Sequence, residues 1–241
     1  MPQPDQQAER AFFSDLLDGS LDYGAHAGAI SAALSSAGIP AGATILHAAC
    51  GTGRLLAALS GDYIVQGFTA SAPTLAIARA RLGPSARLWL GGLPNLQPPA
   101  PADAIVCGPA ALGALRDAAA LAAGLEAIAA ALRPGGVLLL SPGPVPGEVV
   151  SGQAIMDTFD GDGVKIVRSA VVRVLRQRQR LDYFWMVGQD HRGIQTFEER
   201  VERALWSHEV LRGALSDAGL APHATMSDAV SPAPWLYCHS S

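Results

Sequence analysis

The chain has 241 residues, of which 49% are hydrophobic and 16% charged, with a formal net charge of −4. That size and apolar content suit one domain with a substantial core. The acidic balance argues against a nucleic-acid partner, which needs a basic face, and no apolar run reaches the roughly 20 residues of a membrane helix. The polar opening from Met1 to Arg10 is no signal segment, so a cytoplasmic location is expected. Cys50, Cys107 and Cys238 lie far apart without CxxC spacing, so neither a disulfide framework nor a zinc site is expected.

In chain order, Arg10 to Ala37 reads as helical, with Phe12, Phe13, Leu16 and Leu17 at helical spacing and Gly38-Ile39-Pro40 as the stop. Ala43 to Leu46 reads as a short buried strand. Gly51-Thr52-Gly53 follows, then a helix from Arg54 to Leu59. Tyr63–Phe68 reads as a strand, and Pro73–Leu82 as a helix with Pro73 in its first turn. Ala86–Leu90 and Asp103–Cys107 are further strands, joined by a Pro-rich loop. An Ala/Leu helix from Asp117 to Leu132 leads through Arg133-Pro134-Gly135-Gly136 to a fifth strand, Val137–Ser141. This alternation predicts a doubly wound, mainly parallel α/β sheet, with ligands beyond the carboxyl ends of its strands. A loop of prolines and glycines, Pro142 to Gly147, follows strand five. Val164–Leu175 and Leu181–Val187 read as an inserted antiparallel β segment, and Phe197–Ala218 as a helix broken near Trp206-Ser207. Residues 222–238 read as a final hairpin. One domain, 1–241, is expected: a helical cap over 1–40, a cofactor-type half over 41–141 and a substrate-side half over 142–241.

Ile45-Leu46-His47-Ala48-Ala49-Cys50-Gly51-Thr52-Gly53-Arg54-Leu55-Leu56 resembles motif I of class I SAM-dependent methyltransferases. Glycines there let backbone approach the cofactor, and the helix start offers free N–H groups. Further matches follow in order: Gly67 to Ser71 with Leu75 to Arg79, Asp103 to Cys107, Leu132 to Leu139, and Ser216 to Leu220. The resemblance implies a seven-stranded sheet and S-adenosyl-L-methionine as cofactor. It places Ala49, Cys50, Gly51, Gly53, Thr69, Ala70, Gly92, Leu93 and Cys107 around that cofactor.

The chain departs from the family where acids are usual. His47 ends strand one, Thr69 ends strand two, and Gly92 follows strand three. A carboxylate–ribose hydrogen bond is worth roughly 1.5–3 kcal/mol, so each loss weakens SAM binding. Ala49 in place of glycine is a common variant.

His47 reads as a loop-holding replacement or as an acid/base contact, since imidazole titrates near neutral pH. Tyr23 and His26, near the end of the first helix, are candidate gate or acid/base residues. In the inserted segment, alternation pairs Tyr183 with Trp185 and Phe184 with Met186. Tyr183 and Trp185 are candidates to line a substrate pocket, with core or a homodimer interface as the other readings. Trp206, Trp235 and Tyr237 admit the same readings. Arg173, Arg176, Arg178 and Arg180 read as a solvated or subunit-facing surface, and His191 as a turn residue.

The function implied is SAM-dependent methyl transfer to a small, largely apolar metabolite of specialised metabolism. The missing acids also suit a repurposed enzyme of this fold, catalysing cyclisation, pericyclic reaction or isomerisation with SAM absent or structural. A non-catalytic partner subunit is a third reading.

Overall fold

The computed structural model describes residues 4–226 and 235–240. Two helices open it, α1 (Pro4–Asp18) and α2 (Tyr23–Ser36). The continuous helix expected over Arg10–Ala37 is broken because Asp22 caps a new one, its carboxylate accepting from Ala25 N at 2.8 Å. Tyr23 and His26 therefore lie in the first turns of α2 and not at the end of the first helix.

The α/β alternation follows: β1 (Thr44–Ala48), α3 (Arg54–Leu59), β2 (Ile64–Thr69), α4 (Ala72–Leu82), β3 (Arg87–Leu90), β4 (Ala102–Cys107), α5 (Pro109–Gly113), α6 (Ala118–Ala131) and β5 (Leu132–Leu140). Ser71 and Asp117 cap α4 and α6. The chain then forms β6 (Ala154–Gly161), β7 (Val164–Leu175), β8 (Arg178–Gln189) and β9 (Gly193–Ala204). It ends in α7 (His208–Asp217), β10 (Leu220–Met226) and β11 (Trp235–Ser240).

Seven strands pair in the order β10-β11-β5-β4-β1-β2-β3, parallel from β5 to β3. The β10–β11 and β11–β5 pairings are antiparallel. Both faces of this sheet are buried. Leu46, Ile105 and Leu138 pack beneath α6 and α7, while Ile45, Val65 and Val106 pack beneath α2, α3 and α4. β6 to β9 form a separate antiparallel sheet whose inner face, through Ile166, Tyr183, Trp185 and Val187, packs on Phe13 and Leu17 of α1.

A second expectation is corrected. Phe197–Ala204 belongs to the edge strand β9, paired with β8 from Arg178↔Ala204 to Gln189↔Gly193, and the helix begins only at His208. β6 lies in a stretch to which the sequence reading assigned no element. His191 does sit in the tight turn between β8 and β9, with φ of 62°.

Candidate active site

Parallel pairing brings the carboxyl ends of β1, β2 and β4 to one edge, with His47 opposite Gly67 and Val106, and Ala48 opposite Cys107. The chain leaves β1 through a left-handed turn: φ is 56° at Ala49, 57° at Gly51 and 80° at Gly53. Gly53 is forced, since a Cβ there would stand 2.9 Å from a Leu82 methyl. Gly67 is equally constrained, because a Cβ would meet Leu56 at 2.8 Å and Cys50 at 3.0 Å. Above Gly51, Gly92 and Gly108, by contrast, the space is open. The loop thus has a packed underside and a bare upper surface, which leaves its backbone accessible to a ligand.

Asp15 of α1 ties the cap to this loop. It accepts from the Thr52 hydroxyl at 2.5 Å, Arg54 Nε at 2.9 Å and Arg81 Nη2 at 2.7 Å. Arg54 also donates to the Asp15 carbonyl at 2.8 Å, and Arg81 donates to the Thr52 carbonyl. Burial pushes the Asp15 carboxyl up, but the hydrogen bonds from Arg81, Thr52 and Arg54 outweigh it and hold it below its ordinary value. Sequence reasoning missed this carboxylate. Its signal was a lone acid among Phe12, Phe13, Leu16 and Leu17.

His47 is part-buried, with its Nδ1 atom enclosed and without a hydrogen-bond partner. Burial, then the proximity of His26, push it down to about 4, so it is neutral at physiological pH. Tyr23 is pushed up to about 12 by burial and then by Asp18, so it keeps its proton. Cys50 and Cys107 are also pushed up to about 12, by burial, and stay as thiols. Thr69 is buried, and its carbonyl accepts from Gly91 N at 3.0 Å. Ala70 is exposed, while Gly92 and Leu93 are half-buried at the edge of the cleft.

One turn beyond Asp15 lies a cavity of about 330 Å³ between α1 and the second sheet, lined by Leu17, Asp18, Ser20, Leu21, Asp157, Thr158 and Arg168. Burial raises the Asp18 carboxyl, and Arg168 partly offsets this. Arg168 pairs with Asp157 at 2.6 Å and lies over the rings of Tyr183 and Trp185, at 4.9 and 5.0 Å. Trp185 is fully buried, stacked on Phe197 at 5.1 Å, and its Nε1 donates to Glu199 at 3.2 Å. Tyr183 and Trp185 thus form a packed wall behind Arg168. Trp206 is core, its indole donating to the Leu112 carbonyl. The side chains of Trp235 and Tyr237 lie outside the described residues. Among the described residues, no group of three His, Cys, Asp or Glu side chains could hold a metal. No described helix is long and apolar enough to cross a membrane.

A methyltransferase-domain family model matches residues 45–136. Across 91% of this chain and 87% of the relative, it is 31% identical to the dTDP-3-amino-3,6-dideoxy-alpha-D-glucopyranose N,N-dimethyltransferase of Streptomyces fradiae. The chain belongs to the class I SAM-dependent methyltransferase family. It is accordingly an enzyme, a methyltransferase, on the seven-stranded sheet described above. A Streptomyces venezuelae enzyme, dTDP-3-amino-3,4,6-trideoxy-alpha-D-glucopyranose N,N-dimethyltransferase, is 27% identical over 83% of this chain and 84% of its own length. Among solved structures, Streptomyces venezuelae DesVI superposes with a TM-score of 0.87 at 23% identity, covering 100% of both chains. The SAM-bound amino pentose methyltransferase of Micromonospora echinaspora gives 0.81 at 24%, covering 100% of this chain and 98% of its own.

Proposed function

We propose that this methyltransferase uses S-adenosyl-L-methionine to methylate the amino group of a nucleotide-linked amino sugar in natural-product biosynthesis. The observation that carries this reading is the 31% identity with a sugar N,N-dimethyltransferase over nearly the whole chain. The cavity between α1 and the second sheet supports it, because Asp18, Asp157, Ser20 and Thr158 suit hydroxyls and an amine better than a hydrocarbon. The expected largely apolar metabolite therefore gives way to a polar sugar, and the relatives favour methyl transfer over cyclisation.

The open space above Gly51 and Gly92 supports a place for the cofactor there. Bare backbone above Gly51 and Gly92 would lie along it, with Ala49, Cys50, Gly53, Thr69, Ala70, Leu93 and Cys107 framing the contact. When bound, it supplies an electrophilic methyl on a sulfonium. The chain's own part is to hold the amine in line with that methyl and to take one proton from the methylated nitrogen. His26 is the candidate acceptor; Tyr23, which keeps its proton, would donate a hydrogen bond. His47, neutral beside His26, would hold the loop.

Incubation with SAM and dTDP-linked 3-amino sugars, read by mass spectrometry, should show one and then two added methyl groups. No methylated sugar, with SAM binding intact, would remove the substrate assignment.

A further inference from the structure

Helix α1 closes on two carboxylates that share one face, because Asp15 and Asp18 stand three residues apart. Asp15 is fully engaged, accepting from Thr52, Arg54 and Arg81. Asp18 is not. It is part-buried and lines the cavity of about 330 Å³ together with Asp157, Thr158 and Arg168. Arg168 and Arg54 favour its ionised form, Asp15 and Asp157 oppose it, and each acts through charge without a hydrogen bond. Arg54 turns Nε and Nη2 to Asp15, at 2.9 and 3.0 Å. Arg168 turns Nε and Nη2 to Asp157, at 2.9 and 2.6 Å. Asp15, Asp18 and Asp157 thus balance Arg54, Arg81 and Arg168 in charge, but among the described residues no donor reaches the Asp18 carboxylate. Asp18 also acts on the Tyr23 phenol, which places it beside the acid/base candidates at the start of α2.

Taking a carboxylate out of water without a hydrogen-bond partner is destabilising. Folds keep such a group chiefly where function needs it. We infer that Asp18 receives the amino group of the sugar: its carboxylate accepts an N–H and leaves the nitrogen lone pair free for the incoming methyl.

This rests on the amino-sugar reading above and gives the amine its place in the cavity. The primary amine and its monomethylated form both keep an N–H, so the same carboxylate serves both transfers. As the lone pair takes the methyl, the sulfur keeps the bonding electron pair and positive charge grows on nitrogen beside the carboxylate. One proton then leaves the nitrogen for the acceptor named above. A hydroxyl in the amine's place would carry no such charge, so Asp18 also separates amino from hydroxy sugars.

Asp18→Asn, which keeps the shape and removes the charge, tests the inference in the full chain. The substrate is dTDP-3-amino-3,6-dideoxy-alpha-D-glucopyranose with SAM, and the same nucleotide sugar with a 3-hydroxyl serves as inhibitor. The variant should lose about 10- to 100-fold in kcat/KM, the worth of a charge-assisted hydrogen bond. The wild type should bind the amino sugar at least about tenfold more tightly than the hydroxy analogue, and the variant less than about threefold. SAM affinity by calorimetry should stay within about twofold. Tm should hold or rise, since a carboxylate without a donor is gone. A variant within about threefold of wild type in kcat/KM overturns the inference, as does an unchanged preference for the amine. A rate loss accompanied by a Tm more than about 3 °C lower, or by a matching loss of SAM affinity, marks a structural role and overturns it too. Those outcomes leave the amino-sugar reading standing. A wild type that binds SAM and methylates no dTDP-linked amino sugar overturns that reading and this inference together.

Discussion

At the scale of single residues, His47 makes an energetic statement that can be read from stability alone. Its folded value of about 4 lies below the ordinary 6.5, so the fold favours the neutral ring. The unfolded chain takes up this proton as pH drops below about 6.5, while the native state does not until near 4. Stability is therefore full above pH 6.5 and falls between 6.5 and 4, by a limit on the order of 3 kcal/mol. Urea denaturation at several pH values should show this slope in the wild type and a flatter profile in His47→Gln. Equal slopes would mean that the ring is solvated. The identity of His47 was legible in the sequence; its enclosure within electrostatic reach of His26 was not, because α2 had to be placed before the two imidazoles could be seen to act on each other. Asp15 teaches the same lesson. Its partners Thr52, Arg54 and Arg81 come from three other segments, and no local pattern relates them.

At the scale of elements, helix α1 depends on that one carboxylate for its seat on the loop. Asp15→Ala leaves two part-buried guanidiniums without their partner, which costs about 3 kcal/mol. Scanning calorimetry should show Tm lower by roughly 6–12 °C. A drop below about 2 °C would mean that Phe13 and Leu17 alone seat the helix. The same carboxyl is held below its ordinary value, so its contribution persists above the unfolded carboxyl range and fades only as pH falls through the lower folded value. The parallel strands β1 to β5 were legible because short apolar runs bounded by Gly and Pro have few other readings. β9 was not. Glu198, Glu199, Arg200, Glu202, Arg203 and Ala204 are good helix formers, and pairing along the whole of β8 overrides that preference. Charged residues on such a strand also suit its place at the sheet edge.

At the scale of the whole molecule, the second sheet has one buried face and one open face. Met156, Val167, Val171, Leu175, Phe184, Met186 and Ile194 are seven of the thirteen large hydrophobics left exposed among the described residues, and all belong to this sheet. Such concentration marks an interaction surface. Beside it, Arg173, Arg180 and Arg200 surround Asp182, with Glu198 on the neighbouring strand. A second copy, turned by a two-fold axis, would match apolar area to apolar area, and we propose a homodimer through this face. Sedimentation should find the wild type dimeric and Phe184→Glu monomeric with its circular dichroism unchanged; a monomeric wild type would sink the proposal. The inner face leads elsewhere. Helix α1 touches the glycine loop through Asp15 and the second sheet through Phe13 and Leu17, so it is one rigid rod gripped at two places. Whatever steadies either end steadies the other, and by linkage the help is mutual. Cofactor and sugar would then each raise the affinity for the other, and the enzyme would commit to both reactants together.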